Sequence, residues 1–227
     1  MRLRLALAMV TLLPLVSAPA SAGIIAGTLW LSAAAAATHA KQPDAPIDSR
    51  AQHSVQDAVV YLESVPDKVE RKLAAPTTGF VFKRAVTPPH LPRIVQRDRH
   101  FSPRVLAIAS GTRVEIQNLD RVYHNAFSVS PAKRFDLGKY PPGQSDTVAF
   151  EHVGVINLHC DIHPDELGYV VVTPNHVMAR PDSLGRYKLP KLPPGEYAVH
   201  VFHPKRGERT RTVTVPRRGN VALDLSF

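Results

Sequence analysis

Residues 155–172 run Val155-Ile156-Asn157-Leu158-His159-Cys160-Asp161-Ile162-His163-Pro164-Asp165-Glu166-Leu167-Gly168-Tyr169-Val170-Val171-Val172. Two apolar, β-branched runs, Val155 to Cys160 and Tyr169 to Val172, flank a polar turn, which is the pattern of two strands and their connection. Working outward, similar runs recur at Val105 to Ala109, Arg113 to Gln117, Ala126 to Val129 and Thr147 to Phe150. Ser110-Gly111, Pro131, Pro141-Pro142-Gly143 and Gly154 separate them with turn chemistry. No segment sustains a 3.6-residue apolar period, so the spacing predicts an all-β sandwich or barrel.

A second β unit follows Pro174, with strands expected at Arg186 to Leu189, Tyr197 to Phe202, Thr210 to Val215 and Val221 to Leu225. Tyr197, Val199 and Val201 alternate with Ala198, His200 and Phe202, the period of two of a strand. About fifty residues make a marginal core alone, so this unit is expected to pack on something. The early run Ala58 to Leu62 is one candidate partner.

The N-terminus reads as an export signal. Arg2 and Arg4 precede the apolar run Leu5 to Val16, and Ala20-Ser21-Ala22 has the small-x-small form of a cleavage site. A second apolar stretch, Gly23 to Ala37, ends in Ala37-Thr38-His39-Ala40, so cleavage after Ala40 is a further option and an uncleaved anchor a third. The expected organisation is a leader over 1–40, with cleavage after 22 as the alternative, and a linker over 41–91 carrying the strand at 58–62. A first sandwich over 92–173 and a smaller one over 174–227 complete it.

The chain has 28 Lys and Arg against 19 Asp and Glu, a net charge of +9. Both leader arginines lie before residue 40, so without residues 1–40 the balance is 26 against 19, or +7. Such a diffuse charge serves solubility. The cluster Lys205, Arg206, Arg209, Arg211, Arg217 and Arg218 also offers a dock for an acidic partner or an anionic surface. No recognition motif for nucleic acid is present.

Cys160 is the only cysteine of the chain, so it serves no internal disulfide. It is an inert buried thiol, an intermolecular bridge or a ligand. His163 stands three residues on, and His124 lies thirty-six residues upstream in Tyr123-His124-Asn125. A thiolate and an imidazole so spaced at a strand end can turn onto one ion, and a second imidazole from a neighbouring loop completes the donor set of a copper electron-transfer site. The C-x-x-H spacing alone also fits zinc and haem sites.

Further features carry a family resemblance: Phe101-Ser102-Pro103-Arg104-Val105-Leu106, Ser110-Gly111-Thr112, Asn118-Leu119-Asp120, Tyr123 to Ser128, Phe135-Asp136-Leu137-Gly138, Pro142-Gly143-Gln144-Ser145, Cys160 to Pro164 and Gly168 to Val172. In this order they resemble the cupredoxins, in particular the plastocyanin-like, methylamine-utilisation-like exported proteins. The resemblance implies a Greek-key cupredoxin β-sandwich with one copper ion, His124 and His163 as imidazole ligands and Cys160 as the thiolate. It also implies Asn125 as the residue that ties the ligand loops together. Relatives place an axial methionine three or five residues after the second histidine. Here those positions are Glu166 and Gly168, and the next methionine is Met178. Glu166 is therefore a candidate axial ligand; a backbone carbonyl, water or a three-coordinate site are the alternatives. A carboxylate is harder than a thioether and favours Cu(II).

Among the other histidines, strand alternation turns His159 away from Cys160. His152, His176, His200 and His203 suggest at most a secondary metal-scavenging surface. Ser183 to Leu189 and Leu192 to Tyr197 resemble the carboxypeptidase-regulatory-like sandwich appended to exported proteins, which carries no chemistry of its own. The expectation is a periplasmic electron carrier, not an enzyme, whose partner is a periplasmic redox protein such as a cytochrome or dehydrogenase. Copper storage or delivery is the alternative. Membrane contact is expected only if the leader stays uncleaved.

Overall fold

A computed structural model describes residues 22–31, 54–74 and 91–227. The leader's first apolar run, the stretch 41–52 and Pro76, Pro88 and Pro89 lie outside the described residues. Within them the chain is nearly all β, arranged in two sandwiches.

The first sandwich has two sheets. One holds β3 (Arg93–Arg97), β4 (His100–Ser102), β6 (Thr112–Asn118) and β9 (Ser145–Phe150) in the order β4-β3-β6-β9. The other holds β5 (Val105–Ala109), β7 (His124–Ser130), β8 (Lys133–Tyr140), β10 (Gly154–His159) and β11 (Leu167–Thr173) in the order β5-β11-β10-β7-β8. The pairs β3/β6 and β5/β11 are parallel. Alternation selects the core: Val114 and Ile116 of β6 turn inward beside Ile94, Phe150, Ile156, Leu158, Val170 and Val172.

The second sandwich is assembled from distant parts of the chain. One sheet joins β2 (Val59–Leu62), β12 (Met178–Ala179), β14 (Gly195–His203) and β15 (Gly207–Val215) in the order β12-β2-β14-β15. The other places β1 (Ile25–Trp30) between β13 (Arg186–Lys188) and β16 (Val221–Ala222), with β17 (Leu225–Ser226) also paired to β1. The strands beyond 174 share their sheets and core with β1 as well as with β2, the early run expected as a candidate partner. Residues 25–30, assigned above to a leader ending at Ala40, are a central strand with Ile25 and Leu29 buried in the core. A leader ending at Ala22 leaves that strand in place.

The run Tyr169 to Val172 is apolar throughout because β11 is buried on both faces. Val170 and Val172 face their own core, while Tyr169 and Val171 join Val105, Val59 and Phe202 in a cluster shared by the two sandwiches. Strand β2 divides likewise, with Val60 and Leu62 in the second core and Val59 in the shared one. Arg104 reinforces the junction: its guanidinium is 3.0 Å from Asp57 and stacks 5.8 Å above the Tyr169 ring.

Among the described residues, the stretch after β2, expected as linker, contains the helix α1 (Asp67–Ala74). Val69 and Leu73, four apart on one face, pack on the second core, and Glu70 holds His176 at 2.5 Å. Dense Lys and Glu masked so short an apolar stripe.

Candidate metal centre

The loop between β10 and β11 carries three of the candidate ligands, and β7 begins with the fourth. His124, Cys160, His163 and Glu166 offer donor atoms that all lie within 4.8 Å of one another. Cys160 Sγ is 3.6 Å from His163 Nδ1 and 3.9 Å from His124 Nδ1. Glu166 Oε2 is 2.8 Å from His124 Nδ1 and 3.6 Å from His163 Nδ1. The side chains of His124 and Glu166 are wholly buried, and that of His163 is 16% exposed.

Metal bonds of about 2.0–2.3 Å put tetrahedral donors about 3.3–3.8 Å apart, close to most of these separations. Lone pairs held this close repel unless a proton or cation lies between them. A dication there would also balance the Cys160 thiolate and the Glu166 carboxylate, so the donor set fits a metal ion. Burial pushes the Cys160 thiol up, opposed by N–H groups of Asn125, Ile162 and His163; a coordinated metal overcomes such a rise.

Neighbouring residues hold His124 and the 160–166 loop in place. His124 Nε2 is 3.2 Å from Asp120 Oδ2, so with a metal on Nδ1 the Nε2 proton would be donated to that carboxylate, while Nδ1 faces the other donors. Backbone N–H groups of Arg99 and Arg121 keep the Asp120 carboxyl below its usual range. Arg99 reaches it from a tight turn in which Asp98 and Arg99 have φ of 51° and 59°. Asn125 Oδ1 accepts from the Asp161 N–H at 3.2 Å, and its amide donates to Asp136 at 2.7 Å. Asn125 thereby links β7, β8 and the 160–166 loop. The Glu166 N–H closes that loop on the His163 carbonyl at 2.9 Å.

Glu166 does not point to solvent. Its Oε1 accepts from Gln96 Nε2 at 3.0 Å, a buried contact between the two sheets. Met178 lies on β12, where its sulfur meets the Thr173 hydroxyl. Gly168 packs so closely that a Cβ there would come within 2.8 Å of Phe101. The other histidines are occupied elsewhere: His159 faces Phe127, His200 binds Glu208, and His203 approaches the Ser54 carbonyl. Among the described residues they form no second set of three converging donors.

Three site residues escaped the sequence analysis: Asp120, Gln96 and Tyr140. The available signal was Gln96 itself, an amide at an inward position of β3, two residues after the buried Ile94.

No family model matches the chain, and no curated protein matches it. Solved structures do. The purple cupredoxin from Nitrosopumilus maritimus is 29% identical over 36% of this chain and 99% of its own, with a TM-score of 0.34. An oxidized mutant of amicyanin is 20% identical over 38% of this chain and 85% of its own, with a TM-score of 0.35. A copper-containing nitrite reductase from Thermus scotoductus is 24% identical over 44% of this chain, which spans 26% of that enzyme, with a TM-score of 0.38.

Proposed function

We propose that this chain is an exported, copper-binding electron carrier that holds one ion with His124, Cys160, His163 and Glu166. The observation that carries the reading is the convergence of two Nδ1 atoms, a thiol sulfur and a buried carboxylate oxygen at one end of a β-sandwich. Copper bound there would supply a one-electron Cu(I)/Cu(II) couple. The protein's part is to hold the donors rigid and dry. Asp120 orients His124, Asn125 pins the two ligand loops to each other, and burial of His124, Cys160 and Glu166 excludes water. His163, the partly exposed ligand, is the natural edge for contact with a partner. That partner is read as another exported redox protein, a cytochrome or a dehydrogenase, and the chain is read as a carrier with no reaction of its own.

The second sandwich is read as a buttress of the carboxypeptidase-regulatory-like kind. It covers the outer face of β5 and β11, and β11 anchors the ligand loop. Export is read to end with cleavage after Ala22, which keeps β1 in the fold.

The test is a Cu(II) titration of the protein followed by visible absorption, electron paramagnetic resonance and voltammetry. One copper per chain, an intense thiolate-to-copper band and a reversible couple are expected. Rapid loss of copper to a weak chelator without a reversible couple would replace electron transfer by copper storage or delivery.

A further inference from the structure

Gln96 is fully buried in β3, on the opposite sheet from the ligands, and every polar atom of its side chain is engaged. Its Nε2 lies 3.1 Å from the Asn125 carbonyl and 3.0 Å from Glu166 Oε1. A carbonyl only accepts, so the amide nitrogen must face it and cannot exchange places with Oε1. Oε1 therefore faces the Tyr140 hydroxyl, which donates to it. Tyr140 is itself buried at the end of β8, and burial pushes its hydroxyl far up, so it stays a donor.

We infer that Gln96, locked by Tyr140, positions Glu166 to bind metal through Oε2. The inference rests on the copper reading above. The amide N–H occupies Oε1 and offers no proton that it can give up. It thus holds the carboxylate in one orientation, and without it the carboxylate is free to turn away from the metal. Oε2 is left toward His124 Nδ1 and His163 Nδ1. Because β3 pairs with β6 over Arg93–Gln96, the anchor is a sheet strand and not a loop. A single hard anion at a fixed distance favours Cu(II) over Cu(I).

The rival explanation is that Gln96 merely ties the sheets together through Asn125. A double-mutant cycle in the full chain separates the two. Gln96→Leu, Tyr140→Phe, Glu166→Ala and the Gln96→Leu/Glu166→Ala pair are loaded with copper. Their Cu(II) and Cu(I) affinities and Cu(II) resonance spectra are then measured. Gln96→Leu is expected to cut the preference for Cu(II) about tenfold, as the loss of one hydrogen bond to a charged group would. For a one-electron couple that is a rise of about 59 mV. Tyr140→Phe, which removes one oxygen and keeps the ring, should shift it in the same direction by less and covers the case in which Gln96→Leu does not fold. Neither copper spectrum nor preference should move further when Gln96→Leu is added to Glu166→Ala. Shifts of equal size with and without Glu166, or no shift at all beside an intact thiolate band, overturn the positioning role alone. Absence of the thiolate band in the unsubstituted protein overturns the copper reading with it.

Discussion

Glu166 Oε2 lies 2.8 Å from His124 Nδ1, with both side chains wholly buried. A carboxylate thus meets the imidazole on the same atom that faces Cys160, and the oxygen takes its place in the donor set and not behind it. Its position follows from the sequence: three residues after His163, the Glu166 N–H bonds the His163 carbonyl and turns the side chain back over the loop.

Replacing this oxygen with a thioether reverses its preference. Glu166→Met supplies a soft donor that favours Cu(I). The reduction potential is expected to rise by on the order of 60 mV or more, the equivalent of a tenfold change in relative affinity. Voltammetry measures the rise. A potential unchanged beside an altered absorption spectrum would remove Glu166 from control of the couple.

On the copper reading, Asp120 acts on the metal through His124. Asp120→Asn keeps the shape but exchanges a charged acceptor for an amide, weakening the hold on Nε2 and the basicity of Nδ1. Loss of such an outer partner lowers metal affinity about 10–100-fold. Competition with a chelator of known affinity measures the loss, while the Cys160 thiolate band should persist. An affinity within twofold of the unsubstituted protein would show that the 3.2 Å contact does not orient the ligand.

The candidate ligands were legible through the resemblance: a thiol with an imidazole three residues on also fits zinc and haem sites, and it was the ordered matches from Phe101 to Val172 that implied His124, Cys160 and His163. Their supports were not legible. Gln96 becomes conspicuous only once Ile94 and Gln96 are known to share the inward face of β3. Strand β8 was missed because it alternates Lys133, Phe135 and Leu137 with polar residues at a sheet edge, where burial is slight. Strand β1 was hidden differently. A small-residue apolar run serves a leader and a buried strand equally well, and only its pairing with β13, β16 and β17 tells them apart.

His203 gives the second sandwich a pH dependence. Burial holds its pKa below the ordinary value of 6.5, and the nearby Arg206 and Arg104 oppose a charge there, against the Ser54 carbonyl and Asp57. With its folded pKa depressed, the unfolded chain takes up the proton first as pH falls below about 6.5. Stability is therefore full above that value and lost below it, by at most about 1.4 kcal/mol per pH unit until the folded pKa is reached. Thermal melts at pH 7.5 and 5.5 should show the decline, and His203→Gln, which keeps a donor without the titration, should flatten it. An equal decline in both proteins would assign it to other groups.

The strand β1 sets where the working chain begins. Ile25 and Leu29 are buried at 0% and 2% exposure, and Gly27 is approached so closely that a Cβ would lie 1.9 Å from the Leu223 carbonyl oxygen. Such a contact requires glycine at this position. A chain starting at Lys41 lacks both aliphatic side chains from the core, a loss of about 3–6 kcal/mol before the pairings of β1 are counted. A chain starting at Gly23 keeps them. Urea unfolding of the two is expected to give a lower midpoint for the shorter chain, with the loss confined to the second sandwich. On the export reading, mass spectrometry of the mature protein should find Gly23 at its N-terminus. A mature chain beginning at Lys41 with an undiminished midpoint would remove β1 from the working fold.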